Sequence, residues 1–184
     1  VPLVGIIAAL RPEKNHALFL TAASRVLAQV PEARFVIAGD GPARTEVERL
    51  CRDSGLGERV ALLGTRQDVA ALYRSLDVAV LSSHPIVETL PVTLMEAAAC
   101  GTPAVATAVG SVADVVADGE TGFVVPAGDA EALAERITRL LADAALRSRM
   151  ATAARQRAEL RFDQRDMVRR YEELFASAAA GASA

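Results

Sequence analysis

Along the 184-residue chain, short apolar runs alternate with longer segments in which apolar residues recur at helical spacing. LVGIIAA, RFVIA, VALL, VAVL, AVA and GFVV are continuous in apolar character, as strands covered on both faces are. The pattern predicts strands at residues 3–9, 34–38, 60–63, 78–81, 104–106 and 122–125. Helices are predicted between them at 15–29, 43–54, 67–75, 92–99 and 112–116. Beyond Asp129, which suits a helix cap, the chain reads as helical almost to its end, with an apolar stripe at Leu133, Leu140 and Leu141. Strands alternating with helices signal parallel βαβ units, so the expected fold class is α/β, a doubly wound, mainly parallel six-stranded Rossmann-like sheet.

Such sheets bind ligands beyond the carboxyl ends of their strands. The loops expected there are ALRPEK, GDGPAR, LGTR, SSHPIVETLP and ATAVGS, each broken by glycine, proline or small polar residues. There is no internal repeat. The Ala/Gly/Ser-rich residues 177–184 are expected to form a disordered tail after a domain spanning 1–176.

Composition narrows the function classes. A net charge of −3 with interspersed signs offers no basic stripe, so nucleic acid is not an expected partner. Cys51 and Cys100 lack metal-ligand spacing and read as small buried hydrophobes in a reducing, cytoplasmic compartment. His16 and His84 have no evident nucleophile or second metal ligand, and no DxD occurs, so no metal is expected. The apolar opening VPLVGIIAAL lacks a basic leader and reads as a buried strand, as in a piece cut from a longer protein.

Four features carry candidate chemistry. Gly39, Asp40 and Gly41 make a G-x-G turn after the second strand, but Arg44 stands where a dinucleotide fingerprint needs its third glycine. The turn is first a structural device, with backbone contact to a ligand second. Arg11 and Lys14 can hold a pyrophosphate, or form a solvated group beside Glu13. Pro91 precedes a helix that begins near Val92 and stops at Gly101, leaving the N–H groups of Val92 and Thr93 free for an anion. Glu88 before that helix and Glu96 one turn inside it can accept hydrogen bonds from sugar hydroxyls; the alternative is two solvated acids.

The series VGIIAALRPEKNH, FVIAGDGP, ERVALLGTRQDVAALYRSLDVAVLSS and ETLPVTLMEAAACGTPAVATAVGSVADVVADGETGFVVPAGDAEAL resembles the carboxy-terminal domain of retaining GT-B glycosyltransferases of the GT4 type, the glycosyl transferases group 1. The likeness runs in order from the first strand to about Phe175. It implies that the E-x7-E pair is the family signature, with Glu96 on the donor's ribose and Glu88 on the transferred sugar. It further implies that Lys14 and a nearby arginine hold the diphosphate, that the loop after Gly39 and the stretch around Leu63 approach the nucleoside, and that Leu90, Pro91, Val92 and Thr93 give backbone contacts.

The implied donor is a UDP-, GDP- or ADP-sugar used without metal or cofactor. The implied partner is an acceptor-binding N-terminal domain of the same protein, on which a final helix at about 166–175 would pack. Any association with the inner membrane face would run through that part. The sequence departs from the family at Ala9, where arginine is frequent and for which Arg11 would substitute, and at Thr89, where glycine is usual. Asp114, where glutamate is common, receives no role. The alternative function is a non-catalytic nucleotide-sugar-binding or regulatory module.

Overall fold

The computed structural model describes residues 1–85 and 89–181, and the side chains of all but the last two of these. Six strands, β1 (Leu3–Ile7), β2 (Arg34–Ala38), β3 (Val60–Gly64), β4 (Val78–Leu81), β5 (Ala104–Thr107) and β6 (Gly122–Val125), form one sheet in the order β3-β2-β1-β4-β5-β6. Every pairing is parallel. The order reverses between β1 and β4, which opens the crevice at the carboxyl ends of those two strands.

Among the described residues, eight α-helices accompany the sheet: α1 (His16–Leu27), α2 (Arg44–Asp53), α3 (Val69–Ser75), α4 (Val92–Ala99), α5 (Val112–Val115), α6 (Ala130–Ala142), α7 (Ala144–Arg161) and α8 (Gln164–Gly181). Strand alternation sorts the core into two layers. Val4, Ile6, Phe35, Ile37, Val78 and Val80 face α1, α2 and α6, where Phe19, Val47, Leu133 and Ile137 are buried. Val36, Ala79, Leu81 and Ala106 face α3, α4 and α5, where Tyr73, Leu94 and Val112 are buried. Burying one such large side chain contributes about 1.5–3 kcal/mol, so both faces of the inner strands resist exposure, while the edge strand β3 leaves Ala61 exposed.

The expected elements are present with shifted ends. β1 stops at Ile7 rather than residue 9, yet Ala8 and Leu10 still donate main-chain bonds to Ala38 and Asp40, both at 3.0 Å. The carboxy-terminal helical stretch divides into three helices. Asp129 caps α6 through Ala132 N–H at 2.9 Å, and Asp143 ends that helix and caps α7 through Leu146 N–H at 2.8 Å. Residues 177–181, expected in a disordered tail, continue α8; their alanines are the strongest helix formers. Cys51 and Cys100 are half-buried free thiols, one against each core layer, rather than fully buried.

α7 fixes the far end of α4. Ala98 packs on Ala154 and Ala158, small residues that let the two helices approach. Arg155 donates to the carbonyl of Ala99 at the end of α4, and Arg157 to those of Asp114 and Val115 at the end of α5, at 2.7 and 3.0 Å. Cations at helix ends satisfy carbonyls that lack partners within the helix. No helix among the described residues is long and apolar enough to cross a membrane.

Candidate functional site

The loops that leave β1, β4 and β5 are laced together at the carboxyl ends of the strands. Ser82 Oγ donates to the carbonyls of Lys14 and Asn15 at 2.9 and 3.1 Å, His84 N–H donates to Glu13 at 2.8 Å, and Thr107 Oγ1 donates to Ser83 at 2.9 Å. Asn15 turns the chain into α1 with φ 48° and caps it through Leu18 N–H. Asparagine adopts this left-handed conformation more readily than most residues. Next to it, His16 is buried with its Nε2 unpaired, and its pKa falls from 6.5 to about 4, first because of burial and then because of the Lys14 charge.

The β2 exit lies against the β1 exit. Gly39 has φ 144°, and a Cβ there would stand 1.9 Å from the carbonyl oxygen of Ala8; at Gly41 it would stand 2.5 Å from that of Leu10. Only glycine lets these backbones meet. The Asp40 carboxylate is already engaged, by Gly41 N–H at 2.8 Å and by Arg44 at 2.8 Å. Those contacts, the Gly41 bond foremost, hold its pKa below the usual carboxylate value.

A cavity of about 300 Å³ opens between these exits and α4. Its walls include Ala8 and Ala9 after β1, Gly39 and Asp40 after β2, Thr65 and Arg66 after β3, and Thr93 and Glu96 on α4. Thr93 and Glu96 are one helical turn apart and share a face, which is why both reach it. The Glu96 carboxylate has no hydrogen-bond or ion-pair partner among the described residues, and desolvation raises its pKa above the ordinary glutamate value. At the start of α4, Leu94 and Met95 donate to the carbonyl of Pro91 at 3.0 and 3.3 Å, while the N–H groups of Val92 and Thr93 have no acceptor among the described residues.

Of the residues singled out in the sequence, Gly39, Asp40, Thr93 and Glu96 thus meet in one cavity. Gly41 serves the contact with Leu10 instead. Leu63 packs into the core beside α3 and α4, and its neighbours Thr65 and Arg66 reach the cavity in its place. Arg11 is exposed and sits 3.9 Å from Glu13, outside the cavity wall; Lys14 is half-buried in the laced loops. Pro91 is buried, and Leu90 and Val92 point their side chains into a second, larger groove on the α7–α8 side. Glu88 lies outside the described residues. Sequence reasoning missed Thr65, Arg66 and Val69; their signal was the position of the LGTR loop at the same sheet end as the glycine turn. Among the described residues, no group of three or more His, Cys, Asp or Glu side chains converges as a metal site.

Comparison with known proteins agrees with this geometry. The model of the family "Glycosyl transferases group 1" matches residues 1–157. The chain is 31% identical over 144 residues to N-acetyl-alpha-D-glucosaminyl L-malate synthase of Bacillus anthracis, covering 78% of this chain and 37% of that protein. It is 34% identical over 155 residues to alpha-D-kanosaminyltransferase of Streptomyces kanamyceticus, covering 83% and 40%. The chain therefore spans less than half the length of these relatives. Among solved structures, Anabaena Alr3699/HepE in complex with UDP superposes with a TM-score of 0.87 at 28% identity, over 95% of this chain and 48% of that one. The C-terminal domain of the Francisella tularensis group 1 protein LpcC shares the fold at a TM-score of 0.79 and 24% identity, over 89% and 87%. With that family model covering residues 1–157 and a Rossmann-like parallel sheet to match, the chain belongs to the group 1 glycosyl transferases.

Proposed function

We propose that the chain is the donor-binding half of a retaining GT-B enzyme of the GT4 type, which moves a sugar from a nucleoside diphosphate to an acceptor held by another domain. The observation that carries this reading is the unpaired Glu96 carboxylate sharing one cavity with the glycine turn, beside the free N–H groups that begin α4. Glu96 accepts hydrogen bonds from the ribose, and Glu88 holds hydroxyls of the transferred sugar. The Val92 and Thr93 amides, Lys14 and Arg11 take up charge on the diphosphate.

As the glycosidic bond breaks, negative charge grows on the leaving diphosphate. Fixed cations and helix-start amides stabilise that charge more in the transition state than in the ground state, with no metal required. The UDP bound by the Anabaena protein supports a nucleoside diphosphate as ligand of this cavity. The acceptor-binding domain precedes this one in the full-length protein and packs on α8, so the chain alone binds nucleotide and turns over poorly. Any contact with the inner membrane face runs through that domain.

Calorimetric titration tests the donor site. A nucleoside diphosphate is expected to bind the chain and raise its melting temperature. Glu96→Ala is expected to weaken that binding far more than binding of free pyrophosphate, whereas Lys14→Ala weakens both alike. Equal losses in Glu96→Ala would remove the ribose role, and no binding by UDP, GDP or ADP would remove the donor reading altogether.

A further inference from the structure

Resting on that donor reading, the geometry also bears on which base the site accepts. With the ribose on Glu96, the base lies toward the exits of β2 and β3, where Asp40, Thr65 and Arg66 form the wall. Two carboxylates stand at this end, and both are occupied. Asp40 receives Gly41 N–H on Oδ1 and Arg44 Nη1 on Oδ2, each at 2.8 Å, and Arg44 is steadied by Glu48 at 2.9 Å. Asp68 receives Arg66 Nε at 2.8 Å and Nη2 at 2.6 Å. The peptide groups of Thr65 and Arg66, in contrast, make no hydrogen bond to any described residue.

Guanine presents two adjacent donors, its N1–H and 2-amino group, which one carboxylate satisfies together. Uracil and adenine need only one donor and one acceptor, which the N–H and C=O groups of a single stretch of backbone supply. A base donor left without an acceptor in a pocket loses its water and gains nothing in return.

We propose that the site selects nucleoside diphosphates whose base lacks a 2-amino group, uracil or adenine, over guanine, because Arg44 pairs with the Asp40 carboxylate and neutralises its charge beside the pocket. Specificity then comes from an acceptor weakened rather than a contact added.

The test is titration of the chain and of Arg44→Ala with UDP, ADP and GDP. In the unaltered chain, GDP is expected to bind at least about tenfold more weakly than the better of UDP and ADP. In Arg44→Ala, GDP affinity rises and the gap narrows, while UDP affinity stays within about twofold. Arg44→Gln replaces it if alanine loosens the start of α2. GDP binding as tightly as UDP or ADP overturns the proposal, and an unchanged ratio in the Arg44 variants overturns the role of Asp40. If none of the three binds, the donor reading itself fails and this inference falls with it, an outcome distinct from loss of selectivity alone.

Discussion

Two concavities border α4, and they are built in opposite ways. The cavity at the carboxyl ends of the strands is enclosed by backbone: Gly39 against Ala8, Gly41 against Leu10, and loops tied by Ser82 and His84. The groove of about 710 Å³ on the other flank is enclosed by side chains, among them Leu90, Val92, Met95, Leu160, Met167 and Tyr171. On α8, Tyr171, Leu174 and Phe175 remain 54%, 60% and 67% exposed. The first surface is shaped by close backbone contacts within this chain, whereas the second presents apolar area that soluble surfaces rarely leave in one patch. Ligand chemistry is accordingly assigned to the smaller space; the larger is where the proposed partner domain would rest.

The sharpest way to break this contrast is Gly39→Ala. The new Cβ would meet a carbonyl oxygen, which cannot rotate away as a side chain can, and φ 144° is itself strained for alanine. The β1 and β2 exits must separate, with an expected loss of more than about 3 kcal/mol in urea unfolding and loss of nucleotide binding. A fully stable variant that binds normally would show that the close approach of these backbones is not what shapes the cavity.

Much of this was legible in the sequence, and the exceptions have physical causes. The bounds of β2, β4 and β6 and of α4 follow from the apolar runs and from Pro91 and Gly101, because a strand covered on both faces and a helix with clear stops admit little choice. Which residue after β3 faces the ligand did not follow. The β2–β3 register shifts between Ile37 and Ala38, so Ala38 pairs with Gly64; Leu63 stays against the core, and Thr65 and Arg66 just past the strand reach the cavity. The surface position of Arg11 did not follow either. Pro12 starts a 3-10 turn that carries Arg11 to the surface beside Glu13, a local event that the two-residue offset from Ala9 does not reveal.

A smaller effect separates the two regions by pH. His16 lies among the laced loops with a pKa near 4 against an ordinary 6.5, so the folded state binds its proton less well than the unfolded state. Its contribution to stability is complete above pH 6.5 and is lost as pH falls from 6.5 through about 4. Between pH 7 and 4 the unaltered chain is expected to lose on the order of 2–3 kcal/mol that His16→Leu does not lose. Urea midpoints of both proteins across that range provide the measurement, and parallel curves would refute the assignment. Nucleotide binding should weaken on the same side of neutrality, since a Glu96 with a raised pKa accepts ribose hydrogen bonds best when ionised.

The smallest expected effect is the most telling for the groove. α8 has no buried residue among its described side chains, so deleting residues 164–184 removes almost none of the apolar burial that holds the sheet, and Phe162, which packs on α4 and α7, is retained. The unfolding free energy is expected to change by less than about 1 kcal/mol, and nucleotide affinity to remain unaltered. Binding of an apolar dye should fall, because Met167, Tyr171, Leu174 and Phe175 leave with the helix. A loss of several kcal/mol would instead make α8 part of this domain's own core. The contrast between a finished cavity and an unfinished groove would then have to be abandoned.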